Sequence, residues 1–172
     1  MEAIAKVKSR SLVPIAAGER VYTIYGFEDL FAKNAVDIAQ PDMFHTGGMM
    51  ECKKIAAMAE AKHIPISFHN PSGPISNAAI LQLAAAIPNF LIHEIMINDG
   101  SFRKAITNEE VVFEDGCILI GDKPGLGIDV NVDAVLERPY RPINLRHYTG
   151  DLTQIRPKDD TIYYFKGIGE QA

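Results

Sequence analysis

The regular return of short apolar runs is the feature that most constrains the fold. Four runs of strand length, most of them rich in β-branched residues, lie at 13–17, 36–39, 64–68 and 90–92. Their apolarity is continuous rather than alternating, which predicts strands buried on both faces, as in a parallel sheet. Because helical patterns separate the runs, we predict an α/β fold with right-handed crossovers.

Four helical patterns accompany these runs, over 2–9, 27–33, 48–62 and 74–87. The third has apolar residues at i, i+3 and i+4 spacing, with its charged residues mostly on other faces. The fourth has a proline in its first turn and an alanine-rich body. Asn34 is placed to end the second. The element order is therefore α-βαβαβαβ.

Composition narrows the class of partner. The chain has 172 residues, 47% of them apolar and 23% charged, which is typical of one soluble globular domain or a substantial piece of a larger one. A net charge of −5 argues against nucleic acid or an anionic membrane as the main partner. No apolar run approaches the roughly 20 residues of a membrane span. Two distant cysteines, Cys52 and Cys117, are too few for a disulfide scaffold, so we expect a cytoplasmic protein.

Each apolar run ends in polar residues that could carry chemistry. Glu19 follows the first run, Asp42 the second, His69 the third and Glu94 the fourth, at intervals of 23, 27 and 25 positions. In an eight-stranded α/β barrel one strand–helix unit takes about 30 residues, and ligands bind at the carboxyl ends of the strands. The near-constant interval therefore predicts that these four side chains form one ring at the strand ends.

These residue types suit proton abstraction next to a carboxylate. A carboxylate at a strand end can bind a hard cation such as Mg²⁺. A histidine beside an aspartate is an oriented base, because the aspartate holds the tautomer and favours the imidazolium. A further glutamate could hydrogen-bond a substrate oxygen. The ring therefore predicts acid–base chemistry through an enediolate that a metal ion stabilises.

Five stretches of the sequence carry a family resemblance: PIAAGER (14–20), DIAQPDMFHTGG (37–48), HNPSGPIS (69–76), FLIHE (90–94) and GDKPGLGID (121–129). Spread over roughly two thirds of the chain, they resemble the C-terminal half of the barrel of enolase-superfamily enzymes of the mandelate racemase/muconate lactonizing type. Within that group the chain is most similar to the sugar-acid dehydratases, such as galactonate dehydratase.

The resemblance implies a fold and a division of the chain. Residues 1–110 would be the C-terminal half of a TIM-like (β/α)7β barrel, strands five to eight. Residues 111–172 would be a C-terminal extension that packs on the barrel or on a partner, and 131–172 align poorly with the family. The family's other two metal ligands, the base on its second or third strand and its N-terminal capping domain would all fall before Glu19.

The resemblance also assigns roles to the ring. Glu19 matches the third of the three carboxylates that bind Mg²⁺. Asp42 and His69 match an Asp-His dyad whose histidine acts as acid or base. Glu94 matches the glutamate that contacts the substrate carboxylate or its metal-bound oxygen. His45, in a loop that often lines the family's pocket, is expected to be a substrate contact.

The implied activity is a Mg²⁺-dependent dehydration of a sugar acid (an aldonate) to a 2-keto-3-deoxy acid. A racemase, epimerase or cycloisomerase shares the enediolate step and stays open as an alternative. Because one carboxylate holds Mg²⁺ weakly, we expect weak or absent metal and negligible activity in this chain alone. The other class of hypothesis is an inactive fragment or truncated product that acts only with a missing half. The run at 13–18 would be an open edge, so we expect a homo-oligomer or association with an N-terminal half.

Several of these residues also have a purely structural interpretation. Glu19 could form only a salt bridge with Arg20, and Asp42 could be a helix N-cap after Pro41. His69 could be a structural histidine in its proline-rich turn. On a strand, neighbouring side chains point to opposite faces, so we expect His93 to pack against a helix if Glu94 faces the ring.

Other residues are expected to be structural. Cys52 lies on the apolar face of a helix and is expected in the core. The glycines at 125 and 127 are expected to shape a turn rather than bind phosphate. Exposed positions are expected for His63, His147, Arg138, Arg141 and Arg146.

Overall fold

The computed structural model describes residues 1–96, 104–108, 111–137 and 139. Four parallel strands form one sheet in the order β1-β2-β3-β4, and they are Ala16–Ala17, Ile38–Ala39, Ile66–Phe68 and Phe90–His93. The helices α1 to α5 are Glu2–Lys8, Thr23–Ala32, Met43–Thr46, Gly48–Glu60 and Pro74–Ala85. Helices and strands alternate in the predicted order, and the predicted parallel sheet is confirmed; only the one-turn α3 was not expected.

The first strand begins later than predicted, at Ala16 instead of Val13. The Ser11 hydroxyl donates to the Val13 carbonyl at 2.7 Å and accepts from the Val13 N–H at 3.1 Å, so this segment is occupied by a local turn. Pro14 has no N–H to donate to a ladder. Ladder pairing starts only where Ala16 lies beside Ile38 of β2.

The core lies between the helices and the middle of the sheet. Its largest fully buried apolar side chains come from α2, α4, α5 and β3 and include Phe27, Leu30, Ile55, Ile66, Phe68 and Ile80. All three residues of β3 are buried, as the continuous apolar run predicts. Cys52 is fully buried in this core, as expected.

Burial on both faces was the wrong expectation for β4. Leu91 is 52% exposed and Ile92 is 61% exposed, because β4 is the last strand of the sheet among the described residues. At the other edge, β1 is the first strand, as predicted, and the Leu12 and Val13 side chains that precede it are exposed. Both edges of the sheet therefore present apolar side chains to solvent.

Helix α2 begins at Thr23, four residues before the predicted start. Tyr22, the N-cap residue, makes no side-chain cap bond, and Thr23 has a positive φ of 59°. The cap comes from another helix, since the Glu51 carboxylate of α4 accepts from the Ile24 N–H at 2.9 Å. A cap supplied across 27 positions leaves no local sequence signal. As expected, Asn34 follows the end of α2, with a positive φ of 48°.

The described part after residue 110 holds a β-hairpin and a short helix. Strands β5 (Phe113–Glu114) and β6 (Cys117–Ile118) pair antiparallel, and α6 is Val132–Leu136. The predicted turn at 125–127 is confirmed, because both glycines have positive φ and the Gly127 N–H donates to the Pro124 carbonyl at 3.3 Å. No helix in the described part of the chain is long and apolar enough to cross a membrane.

Residues 1–135 form one compact unit and 136–172 a second. The first unit includes 111–135, and the predicted division at residue 110 stays a prediction. Of the second unit only 136, 137 and 139 are described. The predictions for Arg138, Arg141, Arg146 and His147 therefore lie outside the described residues, whereas His63 is exposed as expected.

Two carboxylates link distant elements and predict acid sensitivity. The Ile24 N–H, with Lys54, lowers the pKa of Glu51, and the Ile15 N–H, with Lys8, lowers the pKa of Asp37. Lowered folded values mean that the added stability is present above the ordinary carboxyl pKa, about 4, and is lost as pH falls through the folded values. We expect the free energy of unfolding, measured in urea, to fall as the pH drops below about 4.

The variant Glu51→Gln removes one of these titrating groups and should make that pH dependence shallower. Glu60→Gln, an exposed change on the last turn of the same helix, is the matched control. An unchanged slope in Glu51→Gln would show that the cap on α2 contributes nothing that depends on pH.

Candidate functional site

The carboxyl ends of the four strands bring the predicted ring together. Since neighbouring parallel strands end at the same edge of the sheet, residues far apart in sequence become neighbours there. Glu19 lies 3.9 Å from His69, and His69 lies 2.8 Å from Asp42. Glu94 accepts a hydrogen bond from Asn70, the residue after His69. The ring expected from the spacing is therefore present.

A glycine sets the position of Glu19. Gly18 has a φ of +147°, and a Cβ at this position would meet the backbone of Gln40, after β2, at 2.9 Å. Only glycine allows this close approach of the two strand ends without a shift of backbone. The chain then turns, with the Val21 N–H donating to the Gly18 carbonyl at 2.9 Å. Glu19 itself is partly exposed and lies 3.7 Å from Arg20, so the expected ion pair also forms.

Asp42 is buried, and both of its carboxylate oxygens accept hydrogen bonds. Oδ1 accepts from the N–H groups of Phe44 and His45, at 2.8 and 3.1 Å, and so caps the short helix α3. Oδ2 accepts from Nδ1 of His69 at 2.8 Å. Asp42 is therefore a helix N-cap through one oxygen and contacts His69 through the other, while the catalytic role of this pair stays a prediction.

His69 is held with one nitrogen inward and the other at the mouth of the ring. A carboxylate oxygen only accepts, so the bond to Asp42 places a hydrogen on Nδ1. The opposite nitrogen, Nε2, lies 3.9 Å from Oε1 of Glu19, which is too long for a direct hydrogen bond. Nε2 is therefore the ring nitrogen of His69 that is left to meet a bound molecule.

Glu94 is fixed by the backbone after β3. Its Oε2 accepts from the Asn70 N–H at 2.8 Å, and its own carbonyl accepts from the Asn70 side-chain amide at 3.2 Å. The preceding residue, His93, turns the other way and bonds to Asn77 of α5 at 2.6 Å, Nε2 to Oδ1. The expectation that His93 packs against a helix is confirmed.

His45 stands at the rim of the ring. Its side chain is 54% exposed, and its Nδ1 lies 3.7 Å from Oδ2 of Asp42. Its ring also meets Tyr22 edge-on, with centroids 6.4 Å apart and an angle of 80° between planes. Its role as a substrate contact stays a prediction, and Tyr22 is a rim residue that the sequence analysis did not single out.

Two buried asparagines that were not predicted from the sequence also connect to the ring through Glu94 and His93. Asn70 and Asn77 are 1% and 2% exposed. One signal was available for Asn77, because asparagine is a poor choice for the interior of a helix. Asn70 had none beyond its place next to His69.

The described residues contain no group of three or more histidine, cysteine, aspartate or glutamate side chains placed to hold a metal ion. Within the ring, Asp42 is committed to His69 and the α3 cap, and Oε2 of Glu94 to Asn70. Glu19 can supply a single ligand, and one carboxylate holds Mg²⁺ weakly.

Cys52 is not part of the candidate site. It lies in the core, and burial raises the pKa of its thiol to about 12. The thiolate is the reactive form, so Cys52 is inert near neutral pH, as the sequence analysis expected.

Comparison with known proteins gives the family. Residues 1–135 match the family described as enolase C-terminal domain-like. This chain belongs to that family. Its parallel sheet with helices is half of the family's TIM barrel, which confirms the predicted fold class and the resemblance to the mandelate racemase/muconate lactonizing group.

Two curated relatives carry dehydratase names. D-xylonate dehydratase of Haloferax volcanii is 40% identical over 129 residues, which are 75% of this chain and 31% of that protein. D-galactonate dehydratase of Pectobacterium atrosepticum is 37% identical over 139 residues, 77% of this chain and 36% of that protein. The chain therefore spans about a third of the length of these relatives.

Solved structures agree on the fold. A mandelate racemase/muconate lactonizing enzyme-like protein from Rubrobacter xylanophilus is 35% identical with a TM-score of 0.75, over 83% of this chain and 37% of that one. A similarly described protein from Roseovarius sp. TM1035 is 35% identical with a TM-score of 0.72, over 84% of this chain and 36% of that one.

The Asp42–His69 bond predicts a specific tautomer. In the full chain, ¹⁵N NMR of the His69 ring should report hydrogen on Nδ1. Asp42→Asn can keep the α3 cap through its amide oxygen but presents an NH₂ group to His69, so hydrogen should move to Nε2. Asp115→Asn, in the exposed turn of the β5–β6 hairpin, is the matched control. An Nε2–H tautomer in the unmodified chain would contradict the geometry.

Proposed function

We propose that this chain is the C-terminal catalytic part of a sugar-acid dehydratase of the enolase superfamily. The observation that carries the proposal is the ring itself, a histidine held by a buried aspartate, with glutamates on both sides, at the carboxyl ends of parallel strands. The dehydratase names of relatives at 40% and 37% identity support the reaction class. The substrate would be an aldonate and the product a 2-keto-3-deoxy acid.

Each residue would contribute a separate part of the reaction. A base outside the described residues would take the α-proton and leave an enediolate. His69, protonated on both ring nitrogens, would then give its Nε2 proton to the β-hydroxyl, which departs as water and leaves the enol of the keto acid. Asp42 would keep Nδ1 protonated and the ring oriented. Glu94 would contact the substrate carboxylate, and His45 would contact a hydroxyl at the rim. The complete enzyme would act in the cytoplasm.

Mg²⁺ is proposed as the cofactor of the complete enzyme, not of this chain alone. When bound, the ion would stabilise the charge of the enediolate. Glu19 would be one of its ligands, and the remaining ligands would lie outside the described residues, which offer no group of three.

The partner we propose is the other half of a barrel. Both edges of the sheet are strands without a neighbour among the described residues, and both carry exposed apolar side chains. Open parallel edges with apolar surface favour association. An N-terminal half-barrel would pair with both edges at once; a homo-oligomer of this chain is the other way to cover them.

A racemase, epimerase or cycloisomerase of the same superfamily remains the second candidate. The ring does not separate these reactions from dehydration, because all of them share the enediolate. The observation that favours dehydration is that both curated relatives are named dehydratases.

The activity test compares the chain alone with a chimera in which it replaces the aligned part of the Pectobacterium dehydratase. Alone, with D-galactonate or D-xylonate and Mg²⁺, we expect no release of 2-keto acid above background. The chimera should turn over, and His69→Asn should lower its kcat by about 10²–10⁴-fold, the usual contribution of an acid–base group.

His63→Asn, an exposed histidine outside the ring, is the control for the chimera. Turnover by the chain alone near about 10 s⁻¹ would contradict its incompleteness. Racemised or cyclised product in place of the keto acid would favour the second candidate.

Metal binding gives a separate test that needs no activity. Adding about 5 mM Mg²⁺ to the chain should raise the free energy of unfolding by less than about 0.5 kcal/mol, as for a ligand near its Kd. Glu19→Gln should remove even that increment. A gain of about 2.7 kcal/mol, as for a ligand at 100 times its Kd, would show that this chain holds a complete site.

A further inference from the structure

A chain of polar side chains links α5 to Glu94, and the reaction described above does not use the three that lead to it, the buried Asn77 and Asn70 and the half-buried His93. Asn77, inside α5, accepts from Nε2 of His93 at 2.6 Å. The side-chain nitrogen of Asn70 lies 3.4 Å from the same Nε2. Asn70 then contacts Glu94 twice, through its main-chain N–H and through its side chain. The links run in order from Asn77 to His93, Asn70 and Glu94.

This network is a poor arrangement for stability alone. Asn77 is the fourth residue of α5 and is 2% exposed, and burying a polar side chain costs free energy unless it is hydrogen-bonded. Asn70 is 1% exposed, and its Oδ1 has no hydrogen-bond partner in the described part of the structure. A buried acceptor without a donor costs free energy, and each such group calls for an explanation.

Geometry supplies the explanation, because Asn70 holds Glu94 at two points. Its N–H donates to Oε2 of Glu94 at 2.8 Å, and its Nδ2 donates to the Glu94 carbonyl at 3.2 Å. One contact fixes the carboxylate and the other fixes the backbone that carries it. Since Asn70 directly follows His69, this clamp sets Glu94 at a fixed place relative to the histidine.

The pair on the other side keeps the Asn70 amide in place. A carboxamide oxygen only accepts, so the bond to Asn77 fixes a hydrogen on Nε2 of His93 and with it the ring. With that hydrogen in place, Nε2 is not an acceptor, so the Asn70 Nδ2 that lies 3.4 Å away makes no hydrogen bond to His93. The Glu94 carbonyl is then the acceptor left for Nδ2, whereas an Nε2 without hydrogen would compete for it.

We propose that Asn70 is a positioning residue, which fixes the Glu94 carboxylate beside His69, and that the His93–Asn77 pair holds Asn70 in that orientation. The importance of the clamp for catalysis rests on the proposed function, through the role given to Glu94. The contacts between Asn70 and Glu94 can be measured without an enzyme assay. A negative result for the clamp can therefore be told apart from a negative result for the dehydratase proposal.

The test is hydrogen exchange in the full chain, measured by NMR at single amides. The Asn70 N–H reports the clamp, and the Ile66 N–H, bonded to the Asn89 carbonyl at 2.8 Å, reports the core of the sheet. Asn77→Ala should speed exchange of the Asn70 N–H at least about tenfold, while Ile66 changes less than about twofold, because only local opening is affected.

Three further variants make the result specific. Asn77→Asp keeps an acceptor for His93 and should restore slow exchange at Asn70. Ser76→Ala removes a side chain from the neighbouring position of α5, also 2% exposed, and should leave both amides unchanged. Asn70→Ala, which retains the N–H but loses the bond to the Glu94 carbonyl, should speed exchange of its own amide as Asn77→Ala does.

The proposal is overturned by any of three results. Equal acceleration at Asn70 and Ile66 would mean that the network only stabilises the fold. Unchanged exchange at Asn70 in Asn77→Ala would mean that Asn77 does not act on the clamp. If Asn77→Ala and Asn70→Ala both fail to fold while Ser76→Ala folds, the network is structural and does not position Glu94.

Discussion

The double use of the Asp42 carboxylate is the interaction on which the site depends. Its two oxygens connect three pieces of chain, the end of β2, the first turn of α3 and the end of β3. A buried carboxylate is tolerated because three donors compensate for the water it has lost. The same three bonds fix its rotamer, so His69 receives an acceptor in a set place and keeps Nε2 toward the mouth of the ring.

Around the Asp42–His69 pair, the described residues form half of a barrel and only part of a site. Among the described residues the sheet has four strands and two edges that expose apolar side chains, while the ring holds an Asp–His pair and no group of three side chains placed to bind a metal ion. The open edges and the small set of ligands agree with the comparison, because the relatives are about three times as long as the matched stretch. In the proposed function, the described residues would supply proton transfer and substrate contacts, and the electrostatic stabilisation of an enediolate would have to come from outside them.

Much of this was readable from the sequence, and the exceptions have physical causes. The four strands and the ring followed from local apolar runs and from their spacing, because strand ends in a parallel sheet meet at one edge. The start of α2 and the exposure of β4 did not, since a cap from Glu51 and the position of a strand in the sheet are set by distant residues. The contacts of Asn70 and Asn77 were not predicted for the same reason, because their partners lie on other elements.

A crystal structure of the full chain tests the convergence of the strand ends most directly. The account predicts His69 Nδ1 within hydrogen-bond distance of Asp42, near 2.8 Å, and Nε2 near 3.9 Å from the Glu19 carboxylate. It also predicts the Glu94 carboxylate on the Asn70 N–H. Separation of these groups by more than the width of a helix, about 10 Å, would contradict both the shared site and the function built on it.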